Sequence, residues 1–372
     1  MKLDTIENDE VKDREKFQEN NSTKTIPKKR GYGLDQYYEE ERIANQARKA
    51  KENKKRKKKK IFLCFKILLV LIILGIVFIF LFFKTNLFQK YKELWVQTAM
   101  TTMNHQYLAT WFLSDEEIAE IMKKLEVENN ENSNSDNVMI VELEEEKEIT
   151  VERITGKGYV GFVMIVPDAS KVKLVDGRLS GRGSKLSEIV KKNNAVGGIN
   201  AGGFADPDGK GSGNILIDAV IMNKKLISGN KSTRYSLIGL SEEGKLILGK
   251  YNYQEAINVG IDSAVEFGPF IIVNGNNQIQ NSNAGGIHPR MAIGQKQDGT
   301  MIFVSIDGRQ PGYSIGTNLL ELQNIFERYD AYNAANLDGG SSATMYYDGK
   351  VVNKTSTPMG ERYLPNAFII EK

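Results

Sequence analysis

"MAIGQKQDGTMIFVSID", residues 291–307, decides the fold class. Two apolar runs flank a polar turn containing Asp298-Gly299, the pattern of two antiparallel strands joined as a hairpin. The pattern recurs in "YSLIGLSEEGKLILGKY" (235–251) and in "ATMYYDGKVVNK" (343–354), where Asp348-Gly349 suits a two-residue turn. Helical periodicity is confined to "GSKLSEIVKKNNA" (183–195) and "TNLLELQNIFERYDA" (317–331). In the second, Thr317 is expected to cap, and Leu319, Leu322, Ile325 and Phe326 make an apolar stripe. Hairpins with few helices predict an α+β domain over residues 138–372, with a mixed, mainly antiparallel sheet and a few packed helices.

Working outward toward the N-terminus, the texture changes. Residues 1–60 hold 19 Lys/Arg against 12 Asp/Glu and end in "KENKKRKKKK" (51–60), although the whole 372-residue chain carries a net charge of only +3. The run is followed by "IFLCFKILLVLIILGIVFIFLFF" (61–83), whose single charge is Lys66. At 1.5 Å per residue this is about 35 Å of helix, enough to span a bilayer. The basic run therefore reads as the cytoplasmic flank of a transmembrane signal-anchor helix, attracted to anionic lipid, and not as a nucleic-acid patch. A cleaved signal peptide would have a short basic head and a shorter apolar core. The expected order is a basic cytoplasmic tail (1–60), a transmembrane helix (61–83) and an extracytoplasmic remainder. That remainder starts with a juxtamembrane helical stalk (84–123), where Ser114 and Glu117 form a capping box and His105 is a bystander. The acidic, Asn-rich segment 124–137 reads as a flexible linker.

Composition limits the chemistry. Cys64 is the only cysteine and lies in the apolar segment, so the external part has no intrachain disulfide. His105 and His288 are the only histidines, which removes a His/Cys zinc cluster and leaves His288 as the one base for a Ser-His-Asp device.

Five apolar runs in the domain end in Gly, Asn, Asp or Arg: "GGINAGGFADPDG" (197–209), "VEFGPFIIVNG" (265–275), "IHPRMAIGQ" (287–295), "FVSIDGRQPGYSIG" (303–316) and "NLDGGSS" (336–342). Strand ends hold loops rigidly and are common positions for sites. If they converge, Asn200, Asp206, Arg290, Asp307, Arg309, Asn336, Asp338, Ser341 and Ser342 gather, with carboxylates to move protons and arginines to hold an anion. Simpler readings stand beside this one. Asp307-Gly308 and Asp338-Gly339 also suit plain turns, and His288, held extended before Pro289, also suits a satisfied loop histidine. "DPDGKGSGN" (206–214) resembles a calcium loop through Asp206 and Asp208, but Lys210 occupies the fifth position, so no metal and no cofactor is expected.

"NAGGF" (200–204), "FGPFIIVNG" (267–275), "PRMAIGQ" (289–295), "SIDGR" (305–309), "NAANLDGGSSATMYY" (333–347) and "RYLPNAF" (362–368) together resemble the phosphodiester glycosidase domain family. That family includes the mannose-6-phosphate uncovering enzyme and many bacterial surface proteins of exopolysaccharide biosynthesis type. The resemblance covers roughly residues 150–372. It implies hydrolysis of a sugar-1-phosphodiester, of N-acetylglucosamine type, at the glycosidic carbon of a surface glycan or related polymer. The matching positions are Asn200, Gly202, Gly203, Arg290, Gly294, Asp307, Asp338, Gly339 and Ser342. Ser341 stands where the family more usually has a third glycine, and Ala201 where other members can carry glycine. On this reading Asp338 is nucleophile or general base and Asp307 or Asp206 assists. Arg290 and the Gly339-Gly340 backbone hold phosphate, and His288, Arg309, Asn336 and Ser341 complete the substrate contacts. Two other readings stay open: a non-catalytic polysaccharide-binding or exopolysaccharide assembly protein on the same fold, and a metal-dependent phosphoesterase cutting the P–O bond.

Overall fold

A computed structural model describes residues 34–102, 105–140, 147–178, 182–207 and 211–372. Its contacts divide the chain into two units, one ending at Ile79 and the other comprising Phe80–Lys372. Helix α1 (Leu34–Lys84) runs without a break from the basic stretch through the apolar one. The 49 residues Gln36–Lys84, with a mean hydropathy of 3.2 in the most apolar window, are long and apolar enough to cross a membrane.

After the end of α1 the second unit continues with three short helices, α2 (Gln89–Met100), α3 (Tyr107–Thr110) and α4 (Asp115–Lys124). They share a core that includes Val96, Ala99, Ala109, Leu113, Ile118 and Ile121. The Ser114–Glu117 capping box forms as the spacing predicts. Segment 124–137 departs from expectation, since it is strapped to the domain. Asn129 Oδ1 accepts from Phe270 N, Asn132 Oδ1 from Lys250 N, and Asn134 N donates to Asn274 Oδ1. Ser133 is buried and bonds Leu248 through both backbone and hydroxyl. Short polar side chains made the segment look solvated, but the same groups satisfy exposed strand-edge amides.

The domain then lays down β1 (Thr150–Gly156), β2 (Tyr159–Val166), β3 (Val172–Asp176), helix α5 (Leu186–Lys192) and β4 (Gly197–Asn200). Next come β5 (Phe204–Ala205), β6 (Ile215–Leu216), β7 (Val220–Met222), β8 (Lys225–Ser228), β9 (Tyr235–Leu240), β10 (Leu246–Tyr251), helix α6 (Tyr253–Asn258) and β11 (Ser263–Glu266). The chain ends with β12 (Phe270–Val273), β13 (Asn276–Asn277), β14 (Arg290–Gln295), β15 (Met301–Ile306), helix α7 (Leu319–Arg328), β16 (Asn333–Leu337), β17 (Met345–Tyr347), β18 (Lys350–Val351) and β19 (Asn366–Ile370).

Three sheets carry the fold, in the orders β1-β2-β15-β14-β16-β12-β13, β10-β9-β11-β7-β8 and β18-β17-β4-β19-β3, beside a small β5-β6 pair. Every pairing among the described strands is antiparallel, so the sheets are not mixed. The inner strands β14, β15 and β16 of the seven-stranded sheet are buried on both faces, and their side chains sort by alternation. Met291, Ile293, Met301 and Phe303 join a central core with residues of the other two sheets, whereas Ala292, Ile302, Val304 and Ile306 face α7. Gly294 permits that second packing, because a Cβ there would sit 2.7 Å from the Phe326 ring. Helix α7 starts one residue later than expected, with Asn318 and not Thr317 as its cap. The β17–β18 hairpin turns on Asp348 and Gly349, both at positive φ (48° and 80°).

Candidate active site

Antiparallel pairing brings the predicted strand ends together. Arg290 pairs with Ile306 and Met291 with Leu337, so the start of β14 lies beside the ends of β15 and β16. Asp338 N donates to Ala201 O at 3.1 Å, which brings in the end of β4. The result is a cleft of about 610 Å³ lined by both Asp206 and Asp338, with Gly203, His288, Arg290, Arg309 and Asn336 around them. Gly339, Gly340, Ser341 and Ser342 line it too.

The turn after β16 is held from outside. Asn200 is buried beneath it, donating from Nδ2 to Asp338 O (2.6 Å) while its Oδ1 accepts from Thr344 N (3.0 Å). Gly340 takes a φ of +59°, and its N–H donates to Pro289 O (2.9 Å), so it is not free to hold a phosphate as expected. At Gly339 a Cβ would lie 2.6 Å from Pro289 O, which explains why glycine is needed where the turn passes so close to another strand.

Charge is distributed unevenly in the cleft. Burial pushes the Asp338 carboxyl up to about 6, against the Ser342 hydroxyl and the charges of Arg362 and Arg309, which favour ionisation. Asp206 is committed: it accepts from Gly211 N (2.8 Å) and from Arg362 Nη2 (3.1 Å). Arg362 also reaches Ser341 Oγ (3.3 Å) and lies over the Phe204 ring, 4.7 Å from its centroid. Arg309 is exposed to the cleft at a left-handed backbone position (φ 57°), with its guanidinium beside Gly340. The sequence reading missed Arg362, although it is the first residue of the quoted "RYLPNAF".

His288 is buried and neutral; enclosure, then Arg290 and Arg309, push it down to about 3. Its Nε2 meets Thr101 Oγ1 at 2.7 Å, and that hydroxyl also bonds the Gln97 carbonyl at 2.6 Å. A carbonyl only accepts, so Thr101 donates to Gln97 and receives the His288 Nε2 proton. Nδ1 is then left as acceptor, 3.5 Å from Arg309 Nη2. The stalk thus walls the cleft, with Thr101, Thr102 and the exposed His105 in its lining. Arg290 is used differently from expectation. Its Nη2 donates to Gly285 O and Gly286 O and its Nε to Thr317 O, which props the loop before β14.

Three predicted residues stand outside the cleft lining. Asn200 supports the turn, and Gly202 N donates to Asn366 Oδ1 (2.7 Å). Asp307 is buried and saturated by Tyr313 OH (2.9 Å), Lys354 N (3.0 Å) and Asn353 Nδ2 (3.3 Å). Asp208 lies outside the described residues. Among the described residues no three His, Cys, Asp or Glu are grouped to hold a metal.

The fold and cleft define an antiparallel α+β domain with two aspartates and three arginines lining a cleft at converging strand ends. Residues 193–371 match the family model described as phosphodiester glycosidase. The N-acetylglucosamine-1-phosphodiester alpha-N-acetylglucosaminidase of Mus musculus is 25% identical over 233 residues, covering 55% of this chain and 43% of its own. A prophage-derived protein of Bacillus subtilis, YomE, is 39% identical over 69 residues, covering 18% of this chain and 11% of its own. The chain thus spans less than half the length of these curated relatives. The catalytic domain of the zebrafish N-acetylglucosamine-1-phosphodiester alpha-N-acetylglucosaminidase, auto-inhibited by its pro-peptide, shares the fold with a TM-score of 0.51 at 17% identity, covering 65% of this chain and 88% of that one.

Proposed function

We propose that the protein is a membrane-anchored, extracytoplasmic phosphodiester glycosidase acting on a sugar-1-phosphodiester of N-acetylglucosamine type in a surface glycan. The observation that carries this reading is Asp338, raised to about 6 at a strand end and facing Arg309 and Arg362. Two arginines suit the single negative charge of a phosphodiester, and Asp206 holds one of them in place. Asp338 acts at the anomeric carbon as nucleophile or general base. A phosphomonoester leaving group has a second ionisation of about 6 and needs charge stabilisation more than a proton donor. The anomeric C–O bond breaks, water supplies the new sugar hydroxyl, and a phosphomonoester departs. Helix α1 provides the anchor, with its basic flank cytoplasmic.

The test uses the full chain, because Thr101 belongs to the cleft wall. It is incubated with the methyl diester of N-acetylglucosamine-1-phosphate in ¹⁸O-water. Free N-acetylglucosamine carrying ¹⁸O together with unlabelled methyl phosphate is expected. Sugar-1-phosphate as product would mean P–O cleavage and end the glycosidase reading.

A further inference from the structure

The stalk presents an exposed apolar face. Leu87, in the turn before α2, is 69% exposed, and Tyr91 and Trp95, four residues apart on one side of α2, are 63% and 41% exposed. The rest of the same helix packs inward, burying Lys92, Glu93, Val96, Gln97 and, at its C-terminal end, Ala99. Tyr107 and Trp111 on and just after α3 are 42% and 73% exposed, with ring centroids 5.0 Å apart. These five residues occupy a stretch of 25, while the described chain from 112 to 372 exposes only seven large apolar side chains, none of them Trp or Phe. Both tryptophans of the protein are in the stretch.

Trp and Tyr combine an apolar ring with a polar edge and concentrate where hydrocarbon meets water. The face is covalently continuous with the apolar helix, Leu87 following Lys84 by three residues, and Lys84 and Lys90 are exposed on either side of Leu87. We propose that this face lies in the bilayer interface, so that the cleft receives phosphodiesters carried at the membrane surface. Thr101, in the cleft wall, follows Lys84 by 17 residues, 12 of them in α2. Helical rise plus extended connection keeps that wall within about 35 Å of the end of the apolar helix. The same segment thus supplies both the interfacial face and one side of the site. The substrate class is a sugar-1-phosphodiester whose other ester is a lipid or a lipid-held polymer. This substrate half rests on the phosphodiester glycosidase reading; the bilayer half does not.

The two tryptophans make the bilayer half directly readable. The full chain is reconstituted in phosphatidylethanolamine–phosphatidylglycerol vesicles with acyl chains brominated near the headgroup. Tryptophan emission is expected to fall by about half or more relative to unbrominated vesicles. Unchanged emission overturns the bilayer half, and shielding from acrylamide without bromine quenching means that a protein covers the face instead. For the substrate half, Trp111→Glu is compared with the unaltered chain on two probes. These are N-acetylglucosamine-1-phosphate esterified to hexadecanol in vesicles, and its soluble methyl ester. Hydrolysis of the vesicle-borne probe is expected to fall about tenfold with the soluble probe unaffected. Equal rates for variant and unaltered chain on the vesicle-borne probe, or equal losses on both probes, overturn the substrate half. If the unaltered chain hydrolyses neither probe, the glycosidase reading and the substrate half fall together, and bromine quenching decides the bilayer half alone.

Discussion

Asp338 and Asp307 occupy equivalent positions by sequence, each ending an apolar strand and each followed by glycine, yet their surroundings differ. Asp307 meets three donors and is spent on joining its own loop to residues 313, 353 and 354. Asp338 lines the cleft, desolvated and facing Arg309 and Arg362. Burial raises both carboxyls, but in Asp307 every nearby donor works to satisfy a structural anion, while in Asp338 the compensating charges belong to a substrate-sized cavity. An Asp-Gly pair after a strand therefore locates a strand end; it does not say which way the carboxylate faces.

The sharpest way to break this contrast is Asp338→Asn, for which we expect turnover of the phosphodiester to fall about 10³-fold with the melting curve intact. In the unaltered protein the rate should rise with pH through about 6, because a nucleophile or base works only once deprotonated. A rate that falls through that region would make Asp338 the acid and reverse its role. Arg309→Ala comes next, with an expected loss of about 10²-fold in kcat/KM and no change in folding, since its side chain stands at the cleft and not in the core. Retention of full kcat/KM in that variant would leave the anion with Arg362 alone. The smallest effect on catalysis is expected for Asp307→Asn, where one oxygen acceptor is exchanged for an amide facing donors. We expect a loss of about 1–3 kcal/mol in chemical denaturation and activity within about threefold in the folded fraction. A 10³-fold loss there, with stability unchanged, would erase the distinction between the two aspartates.

Much of this was legible in the sequence because it depends on short-range rules. Alternation and turn chemistry located the hairpins at 235–251, 291–307 and 343–354, and an unbroken apolar run located α1. The strand ends at 200–206, 290, 309 and 336–342 were legible as a group for the same reason. Arg362 was not legible as a site residue because it follows Gly360-Glu361 in a loop with no strand of its own to mark it. The strap at 124–137 and the stalk at 84–123 looked like spacers because their polar groups pair with partners more than a hundred residues away.

The sequence by itself determined an α+β domain of hairpins behind a long apolar helix and the set of strand ends from which a site could be made. Those properties follow from side-chain period, turn residues and apolar length, each confined to a few neighbouring residues. Only the tertiary structure decided that Asp338 faces the cleft while Asp307 faces away, that Arg362 joins Arg309, and that Thr101 of the stalk fixes His288. Each of these depends on contacts such as Asn200 to Asp338, 138 residues apart, and local propensity carries no information about which distant partner a side chain meets.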